Sequence, residues 1–326
     1  MNTSNAPKKS VKRASVIKSI PVSDSPWDAV GVGNEVYVSR SGSVYVSVID
    51  SASNEVVGPD IFTVPYVRDL LYNLSEVKVY AIGNGNDSLA VIDVAADHDV
   101  FDFRTVRGPD SFALSHDGKE LYICGHSGDT SRVGRYDVGN TYNPTGNVDA
   151  VLNLKGIACG DPSQTPEGKR YLYACSYGTD EIRIIEVVDA ETLNFIEPVI
   201  KVGHHPTAIT INAAGTHAYV ANTDSNSISV IDLNTHEVMA TINVGERPGK
   251  VKINPVTGWI YVSNVGGLSP NNDGSISIID PATHTVFETL NVKGSPLGIG
   301  FSSDGLYAYV CTLGNDEVHV VELGVQ

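Results

Sequence analysis

The chain has 326 residues, 41% of them hydrophobic and 18% charged, with 31 glycines and a formal net charge of -16. That is enough apolar material for a large core, and the glycine content suits many tight turns. The acidic balance speaks against nucleic acid or an anionic membrane as a partner, since both demand a basic face.

Read from the start, the one basic run is Lys8-Lys9-Ser10-Val11-Lys12-Arg13, and residues 1–14 read as a solvated, disordered basic tail. The first 25 residues lack the apolar region of a secretory signal, and no stretch approaches transmembrane length. The cytoplasm is therefore the expected compartment. The segment Ala14-Ser15-Val16-Ile17-Lys18-Ser19-Ile20-Pro21-Val22 reads as a strand and resembles Val238-Met239-Ala240-Thr241-Ile242-Asn243-Val244.

A short motif then recurs, in which a tyrosine opens a strand of the form Tyr–apolar–small–polar. The copies start at Tyr37, Tyr80, Tyr122, Tyr173, Tyr219, Tyr261 and Tyr309, at intervals of 43, 42, 51, 46, 42 and 48 residues. A period in that range marks a repeat architecture. Each unit has the grammar of the fifth: Pro206-Thr207-Ala208-Ile209-Thr210-Ile211, a turn, His217-Ala218-Tyr219-Val220-Ala221-Asn222, a polar turn, Ser227-Ile228-Ser229-Val230-Ile231-Asp232, a turn, then residues 238–244. Strands so short, joined by such short turns, pair antiparallel. The third strand ends on an acid in every copy (Asp50, Asp93, Asp137, Glu186, Asp232, Asp280, Glu322), which suits a turn that the carboxylate hydrogen-bonds. The last unit stops at its third strand, residues 318–323, so its missing fourth strand is the one at the start of the chain. The prediction is an all-β, seven-bladed β-propeller, residues 15–326, closed by pairing of the N-terminal strand with the last blade.

Tyr219-Val220-Ala221-Asn222 with Ser229-Val230-Ile231-Asp232, and Tyr261-Val262-Ser263-Asn264 with Ser277-Ile278-Ile279-Asp280, resemble the YVTN-family β-propeller repeat. The likeness covers residues 15–323, strong in blades five to seven and degenerate in blades two to four. It implies the fold and leaves function broad. Members include surface-layer modules, and the wider propeller group includes sugar lactonases, a streptogramin-type lyase and cofactor-carrying dehydrogenases.

Cys124, Cys175 and Cys311 share the third position of the tyrosine strand, where Ser39, Ala221 and Ser263 stand elsewhere, so they read as reduced thiols filling a small slot between blades. Cys159 lies in an irregular segment. Three insertions break the period: residues 159–168, 265–274 and 141–146; the first two fall on the face that receives the loops entering the innermost strands. That face is the natural binding funnel.

Eleven residues before the tyrosines stand Asp69, Ser111, Ala208, Lys250 and Gly298; nine before stand Leu71, Ala113, Thr210, Lys252 and Gly300. Lys250, Lys252 and Asp69 break a pattern of small or apolar residues on the innermost strands. A lysine there must reach a water-filled channel or find a carboxylate. Nearby loops add His204-His205, Glu246-Arg247, Arg107 with Asp110, and Arg68, and the second strands end on Arg40, His126, Tyr177, Asn222, Asn264 and Thr312. On this reading Lys250, His205 and Asp110 are candidate catalytic groups, and Arg247, Arg107, Arg68, Arg40, His126, Tyr177, Asn222 and Asn264 candidate ligand contacts. The ligand is an anionic or carbonyl-bearing small molecule, either bound only or also transformed by lyase- or lactonase-like proton transfer. The other reading is a non-catalytic platform for a protein partner on the loop-rich face, with Lys250 simply paired to Asp69 or Asp110 and His205 a turn residue. No cofactor is expected, and no metal: His126 and Asp110 are the only convenient additions to the histidine pair.

Overall fold

The computed structural model describes residues 13–324 apart from 129, 140–141, 143, 151–152, 166–167 and 268–272. Seven four-stranded antiparallel sheets follow one another along the chain. In blade five they are Pro206–Ile211, His217–Asn222, Ser227–Asp232 and Glu237–Asn243, innermost to outermost. The second strand is buried almost throughout, because neighbouring blades cover both its faces, and so it reads as an unbroken apolar run. The outer strand meets water on one side and alternates instead.

Each innermost strand touches those of the blades before and after it, and the strand of blade seven, Pro296–Phe301, touches that of blade one, Pro26–Val32. The ring is sealed by Ser15–Pro21, which pairs antiparallel with Glu317–Glu322 from Ser15 opposite Glu322 to Pro21 opposite Glu317. Blade seven is thus built from both ends of the described chain. Ala14, assigned to the tail from sequence, belongs to the packed body: it is buried and its N–H donates to Glu288 Oε2 at 3.0 Å. Of the rest of the tail, Arg13 is exposed and residues 1–12 lie outside the described residues.

The repeat tyrosines explain themselves in the structure. All seven are among the largest fully buried side chains. Several reach the next blade: Tyr37 meets His98 Nε2 at 2.8 Å, Tyr80 the Tyr142 hydroxyl at 3.3 Å, Tyr173 His236 Nε2 at 3.1 Å, and Tyr309 donates to Asn54 Oδ1 at 2.7 Å. Their partners sit on the turn after the third strand with positive φ, from 55° to 65°, which turns each side chain back toward the preceding blade. The strand-ending aspartates hold those turns: Asp50 accepts from Ser53 N at 2.7 Å, Asp232 from Asn234 N at 2.8 Å and Asp280 from Ala282 N at 2.8 Å. Glu186 instead pairs with Lys169 at 2.9 Å. Among the described residues no helix is long and apolar enough to cross a membrane.

One irregularity is common to all blades and positions the site. Pairing of the first two strands shifts just after the innermost strand begins, as between Pro248 and Lys250. The residue two places into the strand then stands opposite the third residue of the tyrosine strand, as Lys250 does opposite Ser263 and Asp69 opposite Ile82. Around the axis this level reads Asp28, Asp69, Ser111, Gly156, Ala208, Lys250, Gly298.

Candidate functional site

The innermost strands enclose an axial cavity of about 550 Å³. Its wall includes Trp27, Arg68, Asp110, Lys155, Thr207, Gly249 and Leu297, one residue from each blade at the same level, and below them Asp69, Lys250 and Lys252.

The lower level is an ion network. Lys250 Nζ crosses to Asp69 Oδ1 at 2.9 Å, and Ser111 Oγ donates to Asp69 Oδ2 at 3.0 Å. Asp28 is completely buried; its Oδ2 accepts from Leu70 N at 3.2 Å and faces Lys252 Nζ at 3.6 Å and Lys250 Nζ at 4.0 Å. Burial pushes the Asp28 carboxyl up, to about 6, against the pull of Lys252 and Lys250. Burial would raise Asp69 too, but Lys250 and Lys252 outweigh it and hold that carboxyl well below its ordinary range. Lys250 is held charged, the two carboxylates outweighing its own burial.

At the mouth, Asp110 Oδ2 takes His126 Nδ1 at 2.5 Å and Lys155 Nζ at 3.3 Å. Asp110 faces the cavity; His126 stands behind it, outside the wall. Arg68 lies over the Trp27 ring, 5.3 Å from its centroid, and its Nε is buried with no hydrogen-bond partner among the described residues.

A second charged group sits on the rim. His205 and Arg247 occupy the same turn position, just before the proline that opens an innermost strand, with φ of 54° and 55°. Both face Asp224: His205 Nδ1 at 2.6 Å and Arg247 at 3.8 Å. His205 stacks on Tyr177, centroids 4.1 Å apart, and His204 pairs with Asp180 at 2.7 Å. None of these side chains lines the cavity.

The residues expected together in the funnel therefore fall into separate groups. Lys250, Asp110 and Arg68 line the cavity, with His126 attached to Asp110; His205, Arg247 and Tyr177 form the rim cluster. Arg107 is exposed on the loop before Pro109. Arg40, Asn222 and Asn264 do not line the cavity, and their side chains donate within their own blades. Arg40 is buried and donates to Asp60 Oδ2 at 2.9 Å and Ser47 Oγ at 3.3 Å. Asn222 donates to Ser229 Oγ and Asn264 to Ser277 Oγ, both at 2.9 Å. The polar end of the tyrosine strand stitches strands within a blade; only in blade three does it serve the mouth.

Sequence reasoning missed Asp28, Lys155 and Trp27. The tyrosine count fails for Asp28 because its hairpin, at Gly33-Asn34, is short: Asp28 is nine residues before Tyr37, not eleven. Counting two from the strand-opening proline finds it, since Pro26, Pro109, Pro206, Pro248 and Pro296 lead to Asp28, Ser111, Ala208, Lys250 and Gly298.

Of the four thiols, Cys124, Cys175 and Cys311 are buried and Cys159 half-buried. Burial pushes the Cys159 thiol up to about 12.

Fold and site together define a seven-bladed propeller with a charged axial cavity. The profile of the family described as Lactonase, 7-bladed beta-propeller matches residues 76–246, just over half of the chain, and the protein belongs to that family. It is 26% identical to the seven-bladed beta-propeller protein Rv1057 of Mycobacterium tuberculosis, a match that covers 72% of this chain and 66% of that protein, just short of two thirds of its length. A streptogramin B lyase structure superposes with a TM-score of 0.73 at 15% identity, covering 97% of this chain and 100% of the other. Hydrazine synthase of Kuenenia stuttgartiensis does so with 0.75 at 13% identity, covering 93% and 97%. Likeness at those identities is likeness of fold.

Proposed function

We propose that the cavity mouth binds an anionic or carbonyl-bearing small molecule and transforms it by lactonase- or lyase-like proton transfer. The observation that carries this reading is Arg68, a guanidinium over the Trp27 ring whose buried Nε has no hydrogen-bond partner among the described residues. A carboxylate or polarised carbonyl oxygen is what such a donor lacks. Lys155 provides a second cation on the same wall. Asp110, steadied by His126 and Lys155, is the proton acceptor facing the cavity. In a lactone hydrolysis it takes a proton from water as the water oxygen joins the acyl carbon; the ring C–O bond then breaks and the alkoxide regains a proton. In an elimination the same carboxylate takes the proton α to the carbonyl, the C=C bond forms as the β C–O bond breaks, and the leaving oxygen departs with the electron pair. In either case Arg68 and Lys155 offset the charge that develops on oxygen.

The charged residues of the site are departures from the repeat. The regular blades five to seven are read as YVTN-type scaffold, and four unpaired thiols fit a reducing, cytoplasmic setting.

Trp27 and Trp259 are the only tryptophans, so Trp27 fluorescence in a Trp259→Phe background reports on the mouth. Titration with a panel of lactones and small carboxylates is expected to give a saturable change. Arg68→Ala should weaken it about ten- to a hundredfold with the melting temperature retained, the loss of roughly 1.5–3 kcal/mol of charged hydrogen bonding. Asp110→Asn should bind and not turn over. A panel without any response sinks the proposal and favours the platform reading.

A further inference from the structure

Below the mouth, two carboxyl groups and two ammonium groups share one buried volume, and they are served unequally. Asp69 has both oxygens hydrogen-bonded, to Lys250 at 2.9 Å and Ser111 at 3.0 Å. Asp28 has Oδ2 on a backbone N–H at 3.2 Å, with neither lysine within hydrogen-bond length, and Oδ1 is buried without a hydrogen-bond partner among the described residues. The room for this carboxyl is made by blade seven: a Cβ on Gly298 would lie 2.3 Å from Asp28 Cα and 2.7 Å from its Oδ1. The titratable groups that face Asp28 are Asp69 on the blade-two strand, Lys250 and Lys252 on the blade-six strand, and the Cys311 thiol on the second strand of blade seven. The innermost strand of blade seven, Pro296–Phe301, brings no charge.

Counted as ions, the four side chains cancel. An anion drawn to the lysines would leave the group one negative charge in excess, in a setting with little water to screen it. Lys252, with 30% of its side chain exposed, is the most accessible of the three members that line the cavity. Asp28 is the member whose charged form is least well supported by hydrogen bonds, so it is where a compensating proton goes.

We infer that Asp28, Asp69, Lys250 and Lys252 form a proton-coupled anion site, in which an anion binds at Lys252 and Lys250 while Asp28 takes up one proton. The inference rests on the proposed small-molecule site and specifies its ligand class: a small anion, such as a carboxylate, that is taken in with the net charge of its acid. The balance is simple. The anion brings one negative charge, one proton from solvent ends on the Asp28 carboxyl, and the group stays neutral. Burial already holds the Asp28 carboxyl near neutrality, at about 6, against the opposing pull of Lys252 and Lys250; an anion that occupies those lysines lifts it further. Asp69 is held low and Lys250 high, so neither competes for the proton.

Calorimetric titration of the full chain with benzoate tests this, because benzoate stays ionised above about pH 6, as its carboxyl resembles an ordinary one. Repeating the titration in two buffers of different ionisation enthalpy counts protons. At about pH 7.5 the uptake is expected to approach one proton per benzoate, with affinity falling about tenfold per pH unit. Binding heat that does not depend on the buffer overturns the coupling and leaves the proposed function standing. No binding heat overturns the proton-coupled site, while the proposed function is decided by the panel of lactones and carboxylates. Asp28→Asn should bind benzoate without proton uptake and with affinity flat in pH; proton uptake that survives in this variant also overturns the assignment. If that variant does not fold, the wild-type proton count decides alone.

Discussion

The axial quartet and the rim cluster over blades four to six hold the same kinds of group at similar separations, yet water treats them differently. Lys250 and Asp69 approach to 2.9 Å with 16% and 8% of their side chains exposed, while His205 and Asp224 approach to 2.6 Å with 38% and 41% exposed. On the rim, water shares the charges and salt screens them, so the shorter contact is the weaker determinant of stability. On the axis each charge depends mainly on its partner, because little water reaches it. Contact length alone would rank the two clusters the wrong way round.

The largest expected effect is at Lys250. Lys250→Met leaves Asp69 short of its counter-charge and should destabilise by roughly 3–5 kcal/mol in urea unfolding. A loss below about 1 kcal/mol would mean that channel water supports Asp69 as bulk water supports the rim. Next is Gly298→Ala, whose methyl would collide with the Asp28 backbone; overpacking there should cost about 3 kcal/mol, the upper part of the usual range. An unchanged urea midpoint would show that blades one and seven can part without loss.

Asp28 sharpens the comparison through pH. Its folded carboxyl is held up, to about 6, so the folded chain binds this proton more tightly than the unfolded chain does. The resulting stability is complete below the ordinary carboxylate range and is lost as pH rises toward about 6. Asp28→Asn removes that loss, on the order of 2 kcal/mol, so the change in urea midpoint on going from about pH 4 to about pH 7 should be more favourable in the variant than in the wild type. An equal change in both proteins would remove Asp28 from the account. The smallest effect belongs to the rim: His205→Ala should change stability by less than about 1 kcal/mol, and less again in high salt. A loss comparable with that of Lys250→Met would end the distinction between the clusters.

The ring was legible from sequence because one constraint repeats: each blade needs a buried tyrosine in a strand covered on both faces, and seven such strands leave a period that turns and insertions cannot hide. The same register exposed Lys250, Lys252 and Asp69, since small residues elsewhere at that level make a lysine conspicuous. Asp28 escaped because hairpin length belongs to each blade rather than to the repeat. Lys155 escaped because the irregular segment at residues 160–169 separates it from Tyr173. That Arg40, Asn222 and Asn264 lie away from the cavity was hidden for a related reason. A polar residue at a strand end looks alike in sequence whether it points to the axis or to the serines of its own blade, and the serines at 47, 229 and 277 that receive these side chains were visible but unweighted.

The strand that seals blade seven is the first made and the last used. On a ribosome adding roughly 5–20 residues per second, Ser15–Pro21 emerges about 15–60 s before its partner Glu317–Glu322 is complete. Through that interval the early blades assemble beside a strand that has nowhere to pair, and blade seven, once begun, presents a bare edge until the two meet. In a crowded polysome the nearest equivalent strand belongs to a neighbouring nascent copy. Exchange of this segment between chains is therefore the assembly error to which the ring is most open, and the short span from Val22 to Pro26, which ties the strand to its own blade one, favours the correct partner by keeping it close.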